Sequence, residues 1–171
     1  MENNFMATYL EKRFNLYIDV FEDIIDRCPD ELWNKRSSGY IFWHQIIHAL
    51  GGTYLFFRDE KINFFDGIAD GINGLSINNE LDAEPQDVIK ELYTKNDLLN
   101  ICNGTRTQCE KWFKGKNDAW LYLPFKMIDN LTNFSVTIGQ LEHIMYHIGH
   151  CEAIFRANNI KTRKYLDDGE M

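Results

Sequence analysis

The chain has 171 residues, 18 Lys+Arg against 26 Asp+Glu for a net charge of −8, and 44% hydrophobic and 14% aromatic residues. That length and composition suit one soluble, ring-rich domain over residues 1–171 with a full core. The acidic balance, with no basic run to offset it, argues against nucleic acid as a partner, and no apolar stretch is long enough to span a bilayer.

Met1-Glu-Asn-Asn-Phe-Met6 lacks a positive segment followed by a long apolar run, so no signal peptide is expected and the expected location is cytoplasmic. From about Asn4 to Arg27, apolar residues such as Leu10, Phe14, Tyr17, Ile18, Phe21 and Ile25 recur at helical spacing. Cys28-Pro29-Asp30 ends this first helix, because proline disfavours helix at the residue before it. A linker runs to Gly39. A second helix is expected over about Tyr40 to Arg58, apolar on most sides and therefore central. Gly51-Gly52 sits inside it, although each glycine costs roughly 1 kcal/mol in a helix relative to Ala.

Asp59 to Glu84 reads as a long glycine- and asparagine-rich excursion. Pro85 suits a first helical position, and a third helix is expected over Gln86 to Phe113, with Gly104 weakening its middle. Lys114 to Asn133 reads as a loop whose Trp120, Leu121, Tyr122, Leu123 and Phe125 pack across one end. A last helix is expected over about Ser135 to Asn158, capped by Asn133 or Ser135 and ended by Asn158-Asn159, before a polar tail from Lys161. Four long amphipathic segments without strand alternation predict an all-α four-helix bundle with long connecting loops.

All five histidines fall in two of these helices: His44 and His48 in the second, His143, His147 and His150 in the fourth. A spacing of four stacks two side chains on one helix face, so His44/His48 and His143/His147 form pairs, and His150 follows on the same face. One histidine on a core-facing helix is ordinarily a packed, hydrogen-bonded side chain. Five in two facing stretches point instead to a polyhistidine site for Zn²⁺, Ni²⁺ or Fe²⁺, with an open position for water or substrate.

Other constellations are missing. There is no His-Glu-x-x-His, no Glu-x-x-His, no Gly-x-Ser-x-Gly, no phosphate-binding glycine loop and no Cys-x-x-Cys. Cys28, Cys102, Cys109 and Cys151 are scattered and are expected to be reduced. Cys151 beside His150 reads as a small buried residue, since adjacent helical residues point about 100° apart.

Three passages resemble the DinB-like superfamily of small four-helix-bundle proteins, which includes bacillithiol-transferase-like and mycothiol-dependent enzymes. Cys28-Pro-Asp-Glu-Leu-Trp33 is similar to the turn after its first helix. Trp43-His-Gln-Ile-Ile-His48 is similar to its second-helix histidine segment, and His143-Ile-Met-Tyr-His147-Ile-Gly to its fourth-helix segment. The resemblance, which spans about the whole chain, implies a metal triad of His48, His143 and His147. His44, one turn before His48, offers a second choice of ligand. His150 stands where relatives often carry Gln, and with His44 is a candidate to orient a ligand, replace one or carry a proton. The resemblance also implies a homodimer and, in some members, transfer of a low-molecular-weight thiol to an electrophilic small molecule. A non-catalytic metal- or small-ligand-binding role in stress response is the alternative.

Overall fold

The computed structural model describes residues 4–37, 40–58, 72 and 93–162. They are mostly helical: α1 Phe5–Arg27, α2 Asp30–Trp33, α3 Phe42–Phe56, α4 Lys95–Phe113, α5 Asp118–Leu121 and α6 Asn133–Ala157. β1 (Arg36–Ser37) and β2 (Tyr40–Ile41) form a two-residue antiparallel ladder pairing Arg36 with Ile41 and Ser37 with Tyr40. Among the described residues no helix is long and apolar enough to cross a membrane.

The local chemistry explains each boundary. α1 ends at Arg27, and Cys28, held extended before Pro29, donates its N–H to Ile24 O. The linker contains α2, a single turn that sequence periodicity is too short to register; it seats Leu32 and Trp33 in the core. The expected start of the second helix at Tyr40 is displaced to Phe42, because Tyr40 and Ile41 are used by the ladder.

Within the described part of the expected third helix, Tyr93 and Thr94 are not helical. Thr94 is extended, and its side chain accepts from Asp97 N at 3.2 Å while Asp97 Oδ2 accepts from Thr94 N at 2.8 Å. That reciprocal cap starts α4 at Lys95. Gln86 to Leu92, like Asp59 to Glu84 apart from Ile72, lies outside the described residues. The last helix is likewise capped by Thr132, not by Asn133 or Ser135. Ser135 is the reciprocating partner: its N–H donates to Thr132 Oγ1 at 3.1 Å and its Oγ accepts from Thr132 N at 2.9 Å. Such caps contribute about 0.5–2 kcal/mol each.

α1 packs against α4 and α6, and α3 packs against the same two helices. Trp43, Phe14, Phe21, Phe42, Phe57 and Phe155 are fully buried between them. Each such side chain contributes roughly 1.5–3 kcal/mol of burial. Polar ties cross the core edges: Arg106 of α4 reaches Asp19 and Glu22 of α1 at 2.9 and 2.8 Å, and Arg27 of α1 reaches Glu152 of α6 at 3.1 Å. In the connection between α4 and α6, Leu121 and Phe125 are buried as expected, whereas Tyr122 and Leu123 are exposed.

Candidate metal centre

α3 is buried on nearly every side, which fixes its rotation against α6. His48 projects from α3 toward α6, where His143 and His147 lie one turn apart. The imidazole centroids of His48 are 5.0 Å from both, and those of His143 and His147 are 4.8 Å from each other. One ring nitrogen from each of the three lies within 4.8 Å of the other two. His147 Nε2 and His143 Nε2 stand 3.1 Å apart. Two nitrogens sharing a tetrahedral ion at about 2.1 Å would be separated by about 3.4 Å. The His143/His147 pair is therefore close to a chelating arrangement, and His48 completes a group that could hold a metal ion.

The tautomer of His147 follows from a neighbour absent from the sequence-based candidates. Gln45, buried on α3, places its Oε1 2.6 Å from His147 Nδ1. An amide oxygen only accepts, so Nδ1 carries the proton and donates, leaving the Nε2 lone pair directed at the histidine cluster. A hydrogen bond of this kind on the far nitrogen is the usual support for a ligating imidazole.

Burial lowers the His147 pKa to about 3, assisted by the charges of the neighbouring histidines, with His143 the largest of these. Burial and then His48 lower His143 to about 4. Both imidazoles are thus neutral near pH 7, the form in which nitrogen can ligate.

A close approach accounts for one of the two glycines in α3, Gly52. A Cβ at Gly52 would lie 3.3 Å from His143 Cε1 and 3.8 Å from Gln140 Oε1. A side chain there would press on the His143 ring. Gln140 Oε1, at 3.3 Å, and Ala49 O, at 3.1 Å, share the single hydroxyl proton of Thr53. A buried polar layer therefore continues from the histidines along the α3–α6 seam.

His44 and His150 flank this cluster. The His44 ring is buried, 5.3 Å from Tyr40 and 6.3 Å from His48. The His150 ring is half-buried, 4.4 Å from Tyr146 and 6.2 Å from His147. The histidine whose nitrogens converge with the α6 pair is His48, not His44.

Spacing places Gln45, Gln140 and Gly52 on the same helix faces as the histidines, without saying what each one touches. Gln45 is three residues before His48, Gly52 four after it, and Gln140 three before His143.

The cysteines take no part. All four are buried free thiols, and burial pushes Cys28 up to about 12 and the other three still higher.

No protein-family model, curated protein or solved structure matches this chain.

Proposed function

We propose that His48, His143 and His147 bind one divalent transition metal, Zn²⁺, Ni²⁺ or Fe²⁺, in a DinB-like four-helix bundle. The observation that carries this reading is the convergence of three imidazole nitrogens within 4.8 Å, with His147 held in the ligating tautomer by Gln45. The donor set suits a borderline-soft cation with a coordination position left open.

The activity we assign is transfer of a small thiol to an electrophilic small molecule in the cytoplasm by a homodimeric enzyme. A divalent ion at such a site supplies Lewis acidity, which favours the anionic form of a thiol or water beside it. The chain's own thiols support an external nucleophile, because burial keeps all four protonated at neutral pH. A sulfur–carbon bond forms as the electrophile's leaving group departs, and an imidazole takes the thiol proton. His150 and His44 are the candidates for that role; His150, half-buried at the cluster's rim, is the more accessible.

Metal-loaded and metal-free protein, incubated with a panel of biological thiols and model electrophiles, tests the activity. Faster conjugation by the loaded form is expected. Equal inertness of both forms, with metal still bound, would replace the transferase by a metal- or small-ligand-binding bundle.

A further inference from the structure

The geometry points to a second binding site, for a small single-ring aromatic anion, at the end of the helical assembly away from the histidines. A cavity of about 190 Å³ opens there. Its walls include Trp112 and Trp120, and its lining carries Arg58, Lys111, Lys116 and Lys126. The cations come from separate stretches of chain: the end of α3, the end of α4, and the connections on either side of α5.

Charge makes the cluster unusual. The whole chain has a net charge of −8, yet four cations converge on one cavity. Among the described residues, the ion pairs engage Arg27, Lys95 and Arg106 and none of Arg58, Lys111 and Lys116. Lys116 Nζ stands 5.4 Å from the Trp120 ring centroid, and Arg58 Cζ 5.9 Å from that of Tyr54. Cations beside aromatic faces, with Arg58, Lys111 and Lys116 paired to no carboxylate among the described residues, favour a ligand with both a negative group and a ring.

A second observation concerns Trp112. It is 7% exposed, and its Nε1 is a buried donor without a hydrogen-bond partner among the described residues. Buried indole N–H groups ordinarily find an acceptor, and an unmade bond costs about 1–3 kcal/mol. An anionic oxygen bound in the cavity that Trp112 lines would supply one on a small shift of the indole edge toward it. Size sets the other limit: a cavity of about 150 Å³ holds one benzene ring, so this one suits a ring bearing a carboxylate or phosphate.

The site is separate from the histidine cluster. Asn133 lines the cavity at the first residue of α6, and His143 lies ten residues on, about 15 Å along the helix.

The full-length protein is titrated with benzoate, phenyl phosphate, benzyl alcohol and inorganic phosphate, followed by calorimetry and tryptophan fluorescence. At least one aromatic anion should bind saturably at one site per chain and alter the fluorescence. Which of the two binds tighter separates carboxylate from phosphate. Benzyl alcohol lacks the charge and inorganic phosphate lacks the ring, so each should bind at least roughly tenfold more weakly. Lys116→Ala and Arg58→Ala should each weaken the aromatic anion by about tenfold, the effect of losing one charge-assisted contact. His147→Ala should leave its affinity unchanged. Added salt should weaken the anion and not benzyl alcohol, a readout that needs no variant to fold. The site is overturned by absence of saturable binding of both aromatic anions below about 10 mM, far weaker than a built site. Salt-insensitive binding, or binding lost in His147→Ala, would overturn it equally.

Discussion

Gln45 of α3 and His147 of α6 meet across the helix seam with Oε1 and Nδ1 2.6 Å apart. The contact fixes a proton on one nitrogen and thereby presents the other to the histidine cluster. Replacing Gln45 by Leu keeps the side chain's bulk and removes the acceptor. Metal affinity should fall about 10- to 100-fold, the usual cost of losing a hydrogen bond to a ligating imidazole. Gln45→Glu, which still accepts, should retain most of it. Equal affinity in the wild type and Gln45→Leu, by competition with a chromogenic chelator, would show that the contact does not orient a ligand.

His147→Ala should abolish stoichiometric metal in protein purified without a histidine tag. The same change should eliminate any rise in melting temperature on adding metal, since binding to the folded state is what produces that rise. Unchanged metal by elemental analysis would remove His147 from the ligand set. Replacement of His44 or His150 should leave stoichiometric binding in place while weakening it.

Gly52→Ala should behave unlike an ordinary helix substitution. Glycine to alanine inside a helix stabilises by roughly 0.5–1 kcal/mol where the new methyl is free. At Gly139 and Gly149 of α6 an added Cβ meets nothing within 4 Å, so alanine should stabilise there. At Gly52 the methyl would sit 3.3 Å from His143 Cε1, so the ring must shift. Gly52→Ala should lower metal affinity and yield less of the thermal gain than the α6 variants. If all three variants gain equally and bind metal normally, the close approach has no functional weight.

Acid should destabilise the metal-free protein. Burial holds His143 near 4 and His147 near 3, below the ordinary value of 6.5. Between those values and 6.5 the unfolded chain binds protons that the folded chain refuses. Stability from these two groups is therefore fully present above about pH 6.5 and declines as pH falls toward 4 and 3. Urea midpoints from pH 7.5 to 4 should decrease, and His143→Gln should flatten the decrease. Metal should be released over the same range, because protons compete for the nitrogens. A midpoint insensitive to pH in both proteins would contradict the burial of neutral imidazoles.

What the sequence by itself determined is the part governed by short-range geometry. Helical spacing located α1, the central α3 and the last helix to within a few residues. A four-residue interval stacked His143 on His147, because 3.6 residues per turn makes those positions neighbours whatever surrounds them. The caps were read less well: Thr94 and Thr132 start their helices through reciprocal bonds that compete with apolar periodicity at each boundary. Spacing left open which α3 histidine joins the α6 pair; the resemblance implied His48, and the tertiary structure is what brings its ring to the pair. His44 and His48 are equivalent as a stacked pair, and the rotation and axial position of α3 against α6 bring His48 into the group. The same packing decided that Gln45 reaches across 102 positions of sequence to His147, and that Gly52 lies against His143. Contacts of that kind depend on how two buried faces interlock, and no interval within one helix encodes them.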